Sequence, residues 1–358
     1  MDQKGAPGDL SHLREEYHRF AAKRYLFLGG CGILILILIG IATTLGSADL
    51  TIGEVYAAII ARFFPSVVES TPLASTIVWE YRLHRIFFAI AAGFGLGIAG
   101  AVMQGVLRNP LASPFTLGIS AAASFGASIV IVFGIGGFAN DIAIIIAAFV
   151  FTLLATFGIY SLSRVRGISP ESMILAGIIL MYLFSAMTSF LQYIGTVDQL
   201  QEVVFWTFGS LQRTSWGKLA LVSLVVGFCI PFIMLRSWDL NAMGQGDQVA
   251  KSMGVDVSRT RTRLMLIASL VTAIIICFTG VIGFIGLVAP HITRLAIGGD
   301  NRFLLPASGL VGGALLLTAD SLARTVLAPA IIPVGIMTSF IGIPFFLYLF
   351  LRKREGYW

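Results

Sequence analysis

The sequence predicts an all-α, polytopic membrane protein with about ten transmembrane helices. Three observations carry this. Of 358 residues, 57% are hydrophobic and 12% charged, with mean hydropathy +0.91, whereas a soluble domain has about 25% charged residues. Apolar runs follow one another along the chain, and about 20 such residues cross a bilayer as a helix. The 24 Lys and Arg residues gather in short clusters between those runs. That placement reads as a topology signal, not as a nucleic-acid-binding face, despite a pI near 9.4.

Clear spans cover roughly 26–46, 83–107, 114–136, 139–162, 170–194, 217–236, 305–327 and 333–351. The first follows Lys23 and Arg24. Its LGSAD ending resembles a cleavage site, but the run is long for a signal peptide and is expected to stay as the first helix. Residues 51–64 read as an amphipathic helix lying outside, with Thr51 and Glu54 spaced as a capping box. Residues 200–212, with Trp206, Gly209 and Arg213, read as a short external interfacial segment.

Residues 264–297 are the ambiguous stretch, and charge decides it. If they cross twice, both termini are cytoplasmic and 18 of the 24 basic residues lie inside. Arg62, Arg82, Arg85, Arg213, Lys218 and Arg324 remain outside, in keeping with the positive-inside rule. Thirty-four residues cannot hold two full spans, so the second crossing must be short. Gly280, Gly283, Gly286 and Pro290 break the run. Irregular backbone at this depth requires cover by protein or a water-filled cavity, and interrupted helices mark transport pathways.

Several residues are candidates for function. Gly93, Gly97, Ala101 and Gly105 recur every fourth position, a smooth stripe for close helix packing or for lining a narrow pathway. Gln104 is polar at lipid depth and should face protein or water; Asn109-Pro110 then makes a turn. Asp320 and Arg324, four residues apart, suit an intrahelical ion pair. Arg82 and Arg85 stand against the inside bias, either anchoring at the lipid interface or docking an acidic partner. The connection 237–262 holds Asp247, which can cap a short helix, Gly254, which can stop it, and Ser258, which can cap the next.

No phosphate-binding G-x-x-x-x-G-K-[ST] loop occurs. The chain is therefore not expected to hydrolyse ATP itself. No nucleophile elbow, paired-carboxylate site or zinc motif is present. Cys31, Cys229 and Cys277 read as small buried hydrophobes, and His12, His18, His84 and His291 lack ligand spacing. No cofactor or metal is expected.

Five blocks carry a family resemblance. They are YRLHRIFFAIAAGFGLGIAGAVMQGVLRNPLASPFTLGIS (81–120), GQGDQVAKSMGV (244–255), GVIGFIGLVAPHITRL (280–295), LLPASGLVGGALLLTADSLAR (304–324) and IPVGIMTSFIGIPFFLYLF (332–350). In this order they resemble the permeases of type II ABC importers for iron–siderophore, haem and cobalamin. The resemblance implies a cytoplasmic segment 1–25, a permease domain 26–351 with a coupling loop at 237–262, and a cytoplasmic tail 352–358. It implies a homodimer in the cytoplasmic membrane, two cytoplasmic ATP-binding subunits and an external substrate-binding protein, with lipid around and no nucleic acid. Asp247, Ala250, Gly254 and Val255 match the ATPase-coupling motif. Arg82, Arg85 and Arg324 match arginines that meet carboxylates on the binding protein. Gly93, Gly97, Ala101, Gln104, Gly283, Gly286 and Pro290 fall to the pathway or to helix packing, and Asp320 is the intramembrane charge. An iron chelate is the favoured substrate, with cobalamin or haem as alternatives and an autonomous secondary transporter as the less favoured mechanism. The chain departs from the family pattern at His84, where proline is usual, at Ile331, where an acid is common, and at Gln245, where leucine is usual.

Overall fold

The computed structural model describes residues 9–46, 48, 50–137 and 140–351. The tail 352–358, Lys4, and the side chains of Arg14 and Arg19, all counted on the inner side above, lie outside the described residues. Among those described, the regular structure is helical throughout. Seven helices are long and apolar enough to cross a membrane, and three shorter apolar helices bring the set to ten.

The long helices are α1 (Asp9–Thr44), α4 (His84–Leu107), α6 (Asn140–Val165), α7 (Pro170–Ile194), α9 (Trp216–Met234), α12 (Val257–Thr279) and α14 (Asn301–Thr325). The shorter apolar ones are α5 (Ile119–Phe133), α13 (Ile285–Ile297) and α15 (Val334–Leu351). Between them lie the small helices α2 (Ile52–Phe63), α3 (Pro72–Thr76), α8 (Val197–Thr207), α10 (Ser237–Gly244) and α11 (Asp247–Ser252). A π-helical turn, Ile77–Leu83, joins α3 to α4.

Helix α4 is the axis of the bundle and packs against α14, α12, α13 and α9. Its apolar window is 78% buried, as is that of α14, whereas the outer helices α1, α7 and α9 bury less than a third of theirs. The reason is in the glycines. A Cβ on Gly93 would land on the Gly312 backbone, one on Gly97 on Ser308, and one on Gly100 on Gly286. Without side chains at these points the backbones of α4, α13 and α14 touch, which is how apolar helices associate where the hydrophobic effect gives no preference.

The expected turn within 264–297 is present. Helix α12 stops at Gly280 (φ 69°), and the 13-residue α13 begins at Ile285. The intervening strand of chain passes Phe284 at φ 65°, an uncommon conformation for a side chain of that size. Protein covers it. Ser210 N donates to Thr279 O at 2.6 Å, and Gly335 N donates to Phe208 O at 3.1 Å. Glycine at 209 and 335 lets these backbones approach Val281 and Phe208.

Polar contacts sort the molecule into two ends that follow the charge reading. Arg24 reaches Ile297 and Asp300, and Arg108 and Arg261 reach Asp247. At the opposite end Arg82 reaches Thr43, Arg213 reaches Asp141, and Trp216 reaches Trp79. Helix α2 carries the expected capping box, with both Thr51–Glu54 bonds made. Two local expectations need correction. Asp247 does not cap α11, because its carboxylate is turned toward Arg261. Asp256, not Ser258, caps α12 by accepting from Arg259 N at 3.1 Å.

Candidate translocation groove and coupling end

Of the break at 280–284, Gly280 lines a cavity of about 400 Å³ with Asp141, Arg213 and Lys218, while Val281, Gly283 and Phe284 open onto a separate groove of about 550 Å³. Helix α8 supplies Phe208 at its end, the break supplies Gly283 and Phe284, α13 supplies Leu287, and α15 supplies Phe340. Thr116, in the turn before α5, adds a hydroxyl. No charged side chain lines it among the described residues. Phe340 and Ile343 are 65% and 55% exposed on the α15 wall. The Phe284 ring lies over Gly342, and the Phe346 ring meets Phe284 at a tilt and His291 edge-on. A Cβ added at Gly283 would meet nothing within 4 Å.

This placement divides the glycine and glutamine candidates. Gly283 is on the groove. Gly93, Gly97 and Ala101 are not, because they are sealed in contacts between helices. Gly286 is also a packing residue, with Leu96 O only 3.0 Å from where its Cβ would stand. Pro290 is buried inside α13. Gln104 is fully buried and donates to Leu287 O at 3.3 Å, while its Oε1 receives Arg294 Nη2 at 3.5 Å. His291 Nδ1 lies 3.1 Å from Leu287 O. The smooth stripe of α4 lies in helix packing within this chain, away from the groove.

At the end opposite the basic cluster, the three arginines expected at the surface are buried, with 4%, 7% and 5% exposure for Arg82, Arg85 and Arg324. Arg82 Nη1 donates to Thr43 O and Thr44 O at 2.9 and 3.1 Å, and Nη2 to Ala48 O at 2.8 Å. Arg85 grips Asp320 with Nε and Nη2 at 2.9 and 2.7 Å. Arg324 Nε is 3.1 Å from Asp320 Oδ2, the expected i, i+4 pair, and its Nη1 donates to Leu45 O. These guanidiniums tie the end of α1 to α4 and α14. The chain's own carbonyls and Asp320 accept from these guanidiniums.

The basic end holds the predicted coupling motif. Helices α10 and α11 form a small knob, with Val249 and Met253 exposed at 45% and 65%. Ala250 faces the other way and packs beneath the knob with Met243 and Val257, against which Val255 also rests. Gly254 sits at φ 86° and turns the chain from α11 into α12. Asp247 accepts from Arg261 Nη2 at 2.8 and 3.0 Å and lies 3.5 Å from Arg108. Burial pushes the Asp247 carboxyl up, but the hydrogen bond and charge of Arg261, with Arg108 and Lys251, outweigh this and hold it below the usual aspartate range. Arg261 is itself 1% exposed and donates to Val106 O and Ile168 O. Sequence reasoning counted Arg261 only as one more inner charge. The signal for its burial was helical spacing: Val257, Arg261, Leu264 and Met265 share one face of α12, and all four are buried.

Comparison with known proteins decides the family. The profile of the FecCD transport family matches residues 33–352. The chain belongs to the FecCD transport family. The hemin transport system permease protein HmuU of Yersinia pestis is 38% identical over 90% of this chain and 96% of its own. The cobalamin import system permease protein BtuC of Halobacterium salinarum is 40% identical over 79% of this chain and 75% of its own. A solved inward-facing structure of a transporter assigned to the metal-chelate type of ABC transporter superposes with TM-score 0.79 at 30% identity. It covers 90% of this chain and 98% of its own. This FecCD chain is thus a multi-pass permease of an ABC importer, in a family whose ATPase is a separate subunit.

Proposed function

We propose that the chain imports a metal chelate across the cytoplasmic membrane, with an iron(III)–siderophore-type complex first among substrates and haem or cobalamin as the alternatives. The observation that carries this is the uncharged groove beside the broken helix. A bulky, metal-bearing cargo passes a wall of Phe, Leu, Gly and hydroxyl groups without being chelated or held by charge. The exposed apolar face of α15 suits a second copy of the chain, so that two grooves face one another across a homodimer axis. An external binding protein delivers the chelate, and two ATP-binding subunits seat under the α10–α11 knobs. Both termini and the basic end face the cytoplasm, in keeping with the charge bias. ATP shifts the permease between its two facings only if the nucleotide-bound ATPases prefer one of them.

A proton- or ion-coupled transporter working alone fits less well. Such a mechanism needs an intramembrane charge that can titrate or bind along the route. Asp320, the acid that the sequence places within a span, is fully buried between Arg85 and Arg324 and does not line the groove. Thermal stabilisation of the cognate binding protein by a panel of ferric siderophores, haem and cobalamin tests the substrate. Stabilisation by a ferric siderophore supports the first reading. Stabilisation by cobalamin or haem alone would overturn it in favour of that ligand.

A further inference from the structure

A second polar joint at the basic end, not singled out by the sequence, sits on the other side of the knob from Asp247. Asn241, in the middle of α10, donates from Nδ2 to Asp300 Oδ1 at 2.9 Å. Its own Oδ1 accepts from Asn301 N at 2.8 Å and from Asn301 Nδ2 at 2.9 Å. One side chain of α10 is therefore bonded in both directions to the first turn of α14. Asp300 also caps α14, is gripped by Arg302 through Nε and Nη2, and receives Arg24 Nη1 of α1 at 3.4 Å. Arg302 lies 4.2 Å from the Trp238 ring of α10, and Arg24 donates to Ile297 O at the end of α13. Burial acts to raise the Asp300 carboxyl, but its bonds to Arg302 and Asn241 hold it below the ordinary aspartate range, so it stays charged at neutral pH.

What the joint connects gives it meaning. Helix α14 is buried along its length against α4. At its far end it is fixed to α1 and α4 through Arg324, Asp320 and Arg85. Helices α1 and α14 are thus tied at both ends, by Arg24 with Asp300 and by Arg324 with the α1 carbonyls, and α14 packs on α4 through glycine contacts of backbone on backbone. Among the described residues, α10 is hydrogen-bonded into this unit through Asn241, beside the contact of Arg302 with the Trp238 ring. The Asp247 joint enters at a different point, from α11 to Arg261 of α12 and through Arg261 and Arg108 to the end of α4.

We propose that Asn241 and Asp300 are positioning residues for transport, which pass movement of α10 to the α1–α4–α14 unit. This rests on the reading of the chain as an ATP-driven importer with its ATPases under the knob. With the joint intact, nucleotide-driven displacement of α10 turns the unit and changes the groove. With it broken, α10 loses its hydrogen-bonded link to α14 and passes on less of its movement.

The test uses the assembled transporter carrying Gly283→Cys as a reporter. Position 283 has open space, and Cys31, Cys229 and Cys277 are buried. The rate of labelling by a charged maleimide is read with and without ATP and vanadate. The reference should change its rate about tenfold on trapping, the size of an ordinary coupling between sites. Asp300→Asn keeps a good helix cap but weakens the joint, and Asn241→Ala removes it. Both should still bind ATPase and hydrolyse ATP, while the labelling response falls below about twofold. The exchanged pair Asn241→Asp with Asp300→Asn restores a donor facing an acceptor and should recover most of the response, which a merely weakened fold would not. A full response in both single variants would overturn the joint while leaving the importer reading intact. A reference with no response to nucleotide would overturn the importer reading and the joint with it.

Discussion

At the scale of single residues, the molecule spends its charge on fastening. Asp320 is fully buried and meets two guanidiniums. Removing one member of such a group leaves the others charged and unpaired, at a cost of about 3–5 kcal/mol. Asp320→Ala should therefore lower the thermal unfolding midpoint in detergent sharply, and Asp320→Asn by less. A variant as stable as the parent would show that Arg85 and Arg324 find other partners. The acids of the basic end link stability to pH. Asp247 and Asp300 are both held below the ordinary aspartate value. Each therefore stabilises the fold above its unfolded-state value and loses that contribution as pH falls through the lower, folded one. Unfolding followed from pH 7 to pH 3 should be flat near neutrality and fall below about pH 4. Asp247→Asn and Asp300→Asn should each flatten that fall. An unchanged acid limb in both would mean that the joints add nothing to stability.

At the scale of elements, glycine has two jobs that the sequence does not distinguish. Gly93, Gly97 and Gly100 stand where backbones of neighbouring helices touch, while Gly283 faces open space. Gly100→Ala drives a methyl into the Gly286 backbone and should destabilise by the upper end of about 1–3 kcal/mol. Gly283→Ala should leave stability near that of the parent and change uptake instead. Equal losses of stability in the two would contradict the division. Helix existence, the broken crossing at 280–284 and the capping box of α2 were legible in the sequence, because each depends on local periodicity and residue type. The burial of Arg82, Arg85 and Arg324 was not legible. A charge bias places an arginine near one face of the membrane but says nothing of which way the guanidinium turns. Here the end of α1 offers open carbonyls, and α14 offers Asp320. The Asn241–Asp300 joint was equally hidden, because its partners are about 60 residues apart and neither belongs to a motif with a known spacing.

At the scale of the whole molecule, the fold is a tightly packed axis with a groove and an exposed knob as candidate surfaces. The axis is α4 with α12, α13 and α14, and most of its polar groups are matched within the chain. The groove by the broken helix is uncharged, and the knob of α10 and α11 stands exposed at the basic end. On the proposed reading, energy from a separate ATPase subunit enters at the knob and acts at the groove. The most direct test is uptake of an iron-55-labelled ferric siderophore into sealed vesicles. These hold the permease with its ATPase subunits, with ATP inside and binding protein outside. Uptake that requires ATP, the ATPase subunits and the binding protein together is the predicted result. Uptake by the permease alone, driven by an ion gradient in the absence of any ATPase, would contradict the account.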